Sequence, residues 1–206
     1  MQELKRKACR NCNDKFAPFN STTVVCSTPC AIAYAHSRAD KKAISEKRKT
    51  DKLARAELKV RREALKTRSA WIKDCQKVFN QYIRRRDAEQ PCISCGRTNE
   101  EVENTDGWKP GGAWDCGHFL SVGSHPELRF IGYNAHKQCK SCNAGSSKYA
   151  RKGYTVSQDY RTNLVARIGL KLVEWLEGPH EPLKPSIDEL KNVKMFYKRQ
   201  LLRMEA

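Results

Sequence analysis

An α+β fold is what this 206-residue sequence predicts, and three observations carry that reading. Eight of the ten cysteines fall into four close pairs, which combine into two four-thiolate sets with the spacing of zinc sites built on tight turns. Apolar residues recur at helical spacing from Trp71 to Ile83, again after Gln158, and again after Ser186. Between the last two cysteine pairs the chain has short runs of strand character instead. The expected architecture is a small zinc-held β-hairpin core packed with helices, preceded by a zinc knuckle and a long basic helix. Its expected divisions are the knuckle at residues 1–35, a helical arm or linker at 36–68, and a folded domain at 69–206 ending in a helical hairpin.

Composition narrows the partners. Forty Lys and Arg against 23 Asp and Glu give a formal charge of +17, for which a polyanion is the simplest partner and nucleic acid the first choice. A membrane surface is the alternative, but no basic amphipathic helix with aromatic and Leu residues along one face stands out. Ten cysteines with no signal-peptide-like apolar stretch point to a reducing compartment and metal ligation, against the alternative of a disulfide framework. No apolar run approaches the roughly 18–20 residues of a membrane span, so a soluble protein is expected.

In chain order, Cys9, Cys12, Cys26 and Cys30 form the first zinc set, treble-clef-like, with Thr23–Val25 as a strand candidate inside it and Cys30 opening a helix. So short a module cannot bury a core without its ion. Its basic neighbours Lys5, Arg6, Lys7 and Arg10 suit a contact with DNA or protein, and a purely structural knuckle is the other reading. Residues 31–66 have no Pro or Gly and are rich in Ala, Lys, Arg and Glu, which predicts one long helix. Its apolar residues are too scattered for a coiled-coil seam, so it reads as an exposed arm, lying along phosphates or merely solvated.

From Ser69 the apolar face of Trp71, Ile72, Cys75, Val78, Phe79, Tyr82 and Ile83 marks a core helix, with Cys75 as a buried small side chain. Arg84–Arg86 suit its C-terminal end and Pro91 stops it. Residues 99–112, polar and rich in Gly and acids, read as a loop or wide turn. Trp114–Val122 and Phe130–Tyr133 are the strand candidates, with Asn134 leading into the second zinc turn and a helix expected after Cys142. Residues 158–176 read as a helix ended by Gly178-Pro179. A capping box over Ser186–Glu189 opens the last one, with Ile187, Leu190, Val193, Tyr197 and Leu201 on one stripe.

The second zinc set, Cys92, Cys95, Cys139 and Cys142, encloses Asp115, His118 and Asn134, and Asn143 follows its last cysteine. A His on a first strand, an Asn ahead of a Cys-x-x-Cys pair, and a His or Asn after that pair resemble the HNH (ββα-metal) nuclease motif in an HNN variant. Trp114-Asp115-x-Gly117-His118, Leu128-Arg129-Phe130 and His136-Lys137-Gln138-Cys139 further resemble the NinG (Rap) family of lambdoid phage recombination proteins, and the likeness covers most of the chain. The resemblance implies a metal-dependent endonuclease acting on branched DNA, namely D-loops and Holliday junctions, in the cytoplasm of a bacterial host. Phage or host recombination proteins are the implied partners, and symmetric junction cutting suits a homodimer.

Phosphodiester cleavage needs an activated nucleophile and charge neutralisation at the phosphate. His118 is the candidate general base. A Mg²⁺ or Mn²⁺ ion on oxygen ligands would serve the phosphate and the leaving 3′ oxygen, with Asp115 as first ligand and Asn143 as second. In this type of site Asn134 orients the base; capping the turn before Cys139 is its other reading. The motif usually carries a metal ligand directly before the base, and here that residue is Gly117. Asp115 shares Gly117's side of a regular strand, and substitutes for the missing ligand where the strand ends or bulges. His136 is a competing ligand or phosphate contact, and His118 could instead complete a zinc site with Cys116. From a different class, a non-catalytic zinc protein that binds DNA or RNA explains the charge and cysteines equally well.

Overall fold

The computed structural model describes residues 5–205; residues 1–4 and 206, the outer ends of the first and last expected domains, lie outside the described residues. Internal contacts divide the chain into a first unit ending at Leu65 and a second beginning at Lys66.

In the first unit β1 (Lys7–Ala8) pairs antiparallel with β2 (Lys15–Phe16). Thr23–Val25, expected as a strand, is not one. The Asn20 side chain gathers the backbone N–H groups of Thr22 and Thr23 into a turn, at 3.1 and 2.9 Å, which diverts the segment from extended pairing. Helix α1 (Thr28–Ala64) opens with Ser27 accepting from the Cys30 N–H and Pro29 in its first turn, and closes with Arg61 and Arg62. It runs unbroken from the knuckle through the arm and buries none of its residues, so the sequence's lack of an apolar stripe is met by solvent along its length.

The second unit is built on α2 (Arg68–Arg86), capped by Thr67, whose Trp71, Cys75, Phe79 and Ile83 lie buried at four-residue intervals. Helix α7 (Ile187–Glu205) packs on that stripe through Leu190, Val193 and Tyr197, and the Ser186–Glu189 capping box forms with bonds of 2.7 and 3.2 Å. The expected C-terminal helical hairpin is therefore rearranged, because the main partner of α7 is α2. Residues 158–176 form two helices, α5 (Val156–Ile168) and α6 (Leu170–Glu177), separated at Gly169. Its φ of 85° lies in the left-handed region that glycine adopts without strain. Their Tyr160, Leu164, Val173 and Leu176 close a cluster with Ile93 and Leu128.

Residues 99–106, expected as loop, form α3 (Asn99–Asp106), set by a Thr98/Glu101 capping box and anchored by the buried Val102. The central hairpin pairs β3 (Trp114–His118) with β4 (Ala135–Cys139), in register from Trp114↔Cys139 to His118↔Ala135. The first strand thus stops four residues short of Val122, and the second begins beyond Phe130–Tyr133. In place of the expected strand, Gly132–Asn134 make a 3-10 turn while Phe130 packs edge-on against Phe79 at 5.9 Å. Asn134 takes the Leu120 N–H at 2.9 Å, which turns the chain out of the sheet. After the hairpin, α4 (Lys140–Asn143) is a single turn, ended through Gly145 at φ 82°, where a helix following Cys142 was expected. Among the described residues no helix is long and apolar enough to cross a membrane.

Candidate functional site

Both cysteine sets assemble. In each, the four Sγ atoms lie within 4.8 Å of one another. The close sulfur pairs are 3.6 Å for Cys12–Cys26, 3.5 Å for Cys26–Cys30 and 3.9 Å for Cys95–Cys139. A tetrahedron of ~2.3 Å Zn–S bonds has edges of about 3.8 Å, so all-thiolate donors at these separations fit Zn²⁺. All ten cysteines are unpaired with one another in this structure. Cys116 joins neither set; it lies in the apolar cluster of Phe79, Ile83, Ala135 and Tyr197, and among the described residues no group of three or more ligands includes it or His118.

Thiolates at such separations need positive partners or donors. Cys92, Cys139 and Cys142 are buried, and the Cys139 thiol is held down to about 7 by hydrogen bonds within its set, from Cys142 first and then Cys92. In the N-terminal set burial pushes Cys9 up, but backbone N–H donors outweigh it and bring the thiol down to about 6. Two of those donors are Cys26 N, at 3.4 Å, and Asn11 N, at 3.5 Å.

His118 stands at the end of β3, with its ring stacked on Phe79 at 5.8 Å. Its Nε2 bonds the carbonyl oxygen of Arg129 at 3.0 Å, and a carbonyl only accepts, so the proton sits on Nε2 and the lone pair on Nδ1. Burial lowers the pKa of the ring below its ordinary 6.5, and the Arg129 cation acts in the same direction. Asn134 is fully buried and does not bond the His118 ring. Its amide donates to the carbonyls of Leu120 and Leu128, at 3.0 and 3.3 Å, and its Oδ1 accepts from Leu120 N. It clips shut the loop that carries Arg129, whose carbonyl meets the His118 ring. That loop clip is also more than the turn cap considered from sequence.

Asp115 and Asn143 come together, the Asn143 amide donating to the Asp115 carboxylate at 3.1 Å, in an open depression that Trp108 and Lys140 also line. Asp115 and His118 do not come together. The register is continuous from Trp114 to His118, so no bulge brings Asp115 round, and side chains three apart leave opposite faces about 10 Å apart along the strand. Gly117 has no room for a ligand, because a Cβ there would lie 1.9 Å from Gln138 Oε1. His136 is buried in another direction, its Nδ1 at 3.2 Å from Asp87 and 2.9 Å from Arg86.

Over residues 1–206 the chain matches the family model described as Bacteriophage Lambda NinG protein. It belongs to the NinG family. It is 34% identical over 214 residues to Protein ninG of Escherichia phage lambda, an alignment covering 98% of this chain and 94% of that protein. It is likewise 34% identical to Protein ninG of Salmonella phage P22, covering 98% and 95%, and 33% identical to that of Escherichia phage 933W, covering 98% and 94%. No solved structure matches it.

Two features of this NinG chain escaped the sequence reading. Arg97 forks across the buried thiol set, donating Nε to Cys95 Sγ at 3.4 Å and an Nη to Cys139 Sγ at 3.2 Å while lying 3.5 Å over the Tyr149 ring. Nothing in the motif spacing marks it, since its reach to Cys139 depends on how residues 96–138 fold. Asp87 is the second. Burial would raise its pKa, but bonds to His136 and Arg86 outweigh that and hold the carboxyl well below its usual range. It also accepts the Lys137 N–H at 3.0 Å, fastening the end of α2 to β4.

Proposed function

We propose that this chain is a metal-dependent, structure-specific DNA endonuclease of HNH (ββα-metal) type, acting on branched recombination intermediates such as D-loops and Holliday junctions in phage recombination within a bacterial host. The observation that carries the reading is the His118 ring, whose tautomer is set by the Arg129 carbonyl at 3.0 Å in a loop that Asn134 clips in place. A neutral imidazole with a free Nδ1 lone pair is equipped to take a proton from water, and its lowered pKa keeps it neutral at physiological pH. Asp115 and Asn143 supply oxygen donors suited to one hard divalent ion. Mg²⁺ or Mn²⁺ bound there would supply charge neutralisation at the phosphate and the leaving 3′ oxygen. The +17 charge supports DNA as the partner, and the preference for branched DNA rests on the family resemblance.

One observation favours a second reading, a zinc-dependent nucleic-acid-binding protein without catalysis. The unbroken register from Trp114 to His118 sends the Asp115 and His118 side chains to opposite faces. Cleavage of a synthetic four-way junction and a matched linear duplex, with and without Mg²⁺ or Mn²⁺, separates the two. Under the nuclease reading wild type cuts the junction only with metal, while His118→Ala loses at least about a hundredfold in rate and binds DNA as before. The acid limb of the pH–rate profile falls below 6.5, because a lowered pKa leaves the base neutral until more acid is added. Tight binding with no cutting in any metal selects the second reading.

A further inference from the structure

We infer that Trp108 is a stacking platform for an unstacked nucleobase beside the Asp115–Asn143 pair, an inference that rests on the nucleic-acid reading above. Trp108 is 79% exposed, the most exposed of the large hydrophobic residues in the second unit. Its only polar atom is already used, since Nε1 donates to the Thr105 carbonyl at 3.1 Å. What remains for a ligand is the flat aromatic surface. Single exposed hydrophobics are ordinary, so position and bracing carry the argument.

The bracing is extensive. Trp108 follows the α3 cap residue Gly107, which the chain itself requires to be glycine, because a Cβ there would lie 2.4 Å from the Glu103 carbonyl oxygen. The buried Asp106 carboxylate holds Lys109 at 2.9 Å and the Ser141 hydroxyl at 2.9 Å, bolting the segment to the start of α4. Lys109 Nζ also donates to Ser141 Oγ at 2.8 Å, and Lys140 Nζ donates back to the Pro110 carbonyl. An exposed indole held on both sides loses little conformational freedom on binding.

The position selects the ligand. Trp108, Lys140, Asp115 and Asn143 line one open depression, combining an aromatic face, an ammonium with no carboxylate partner among the described residues, and two oxygen donors. A nucleotide presents the complementary set: a π-face, a phosphate anion and oxygens for a hard cation. A base inside a duplex has both faces covered by its neighbours. Only a base at a branch point or in a single strand offers a face to Trp108, so the residue would discriminate between branched and linear DNA.

The experiment uses the full zinc-loaded chain with no Mg²⁺, Mn²⁺ or chelator added, so that nothing is cut, with a four-way junction carrying 2-aminopurine at the branch and the matched linear duplex. Trp108→Ala should weaken junction binding by roughly five- to a hundredfold, the range for losing one stacked base, and leave duplex binding within about twofold. Trp108→Phe should retain most of the affinity, and wild type should quench 2-aminopurine where Trp108→Ala does not. Unchanged junction affinity in Trp108→Ala, an equal loss on junction and duplex, or no quenching by wild type overturns the inference. Failure of wild type to bind either DNA removes the nucleic-acid reading and this inference together. If wild type cuts junctions and Trp108→Ala binds and cuts them equally well, this inference alone falls.

Discussion

The two thiol sets share the same four donors and differ in everything around them. Among the described residues of the first unit only Cys9 and Pro18 are buried, and Cys12 and Cys26 face solvent. A hairpin of two residues per strand holds them, so the metal would itself be the core of the knuckle. In the second unit Cys92, Cys139 and Cys142 are buried with Val102 and Ala113, and β4 ends on Cys139 after five paired positions. There the metal site is one joint in a larger core that aromatic and aliphatic clusters also hold. The same four-thiol set therefore stands almost alone in one place and joins the central hairpin to a larger core in another.

The sharpest break of that comparison is a pair of substitutions. Cys139→Ser should lose one zinc per chain and abolish the main cooperative melting transition, since apparent zinc-binding energies of about 10–16 kcal/mol match or exceed the ~5–15 kcal/mol that stabilises a whole domain. Cys26→Ser should also lose one zinc per chain but leave the main transition within a few degrees, because the residues from Lys66 onward form a separate compact unit. Metal analysis beside thermal circular dichroism reads both. Equal melting of the two variants would show that the surroundings do not matter.

What could be read beforehand follows the same division between local and distant causes. The cysteine pairs, the α2 stripe and the Ser186 cap were legible because each signal lies within a few residues. Thr98 and Glu101 carry the same capping signature, but it is hidden in the polar, Gly-rich composition of residues 99–112, which reads as loop. The second strand was misplaced because Phe130–Tyr133 has more strand-like composition than Ala135–Cys139. The latter is held extended by pairing with β3 and by buried contacts such as Gln138 Nε2 to Ser94 Oγ at 2.7 Å. Asp115 and Asn143 were legible as candidate ligands from the motif. Their separation from His118 was not, because it depends on a register without a bulge.

Arg97 supplies a finer contrast. A zinc–tetrathiolate centre carries two negative charges, and the buried set meets them with a guanidinium on Cys95 and Cys139. Among the described residues the N-terminal set receives only neutral donors, one of them the Asn11 amide to Cys30 Sγ at 3.5 Å. A chelator with a colour readout should thus strip the N-terminal zinc first and the buried zinc later. Arg97→Ala should weaken the buried site by about 10- to 100-fold, the usual cost of losing an outer-shell partner. Arg97→Lys should not restore it, because a single ammonium lacks the fork that reaches both sulfurs. Release in one phase from wild type would contradict the contrast.

The smallest expected effect tests what the exposed unit is for. Helix α1 carries eleven Lys and Arg against five Asp and Glu and buries nothing, so its sequence is free of any packing duty. If it lies along duplex phosphates, the first of the two readings of the arm, each lost contact removes about 0.9 from the slope of log K against log salt. Changing Lys41, Lys42, Lys47 and Arg48 to Gln should therefore reduce the slope by roughly 3 to 4 while zinc content and melting stay constant. Long charged side chains on a solvated helix contribute little to stability, so folding should not confuse the reading. An unchanged slope would mean that the arm is only a solvated spacer. The DNA grip would then belong to the knuckle or to the second unit.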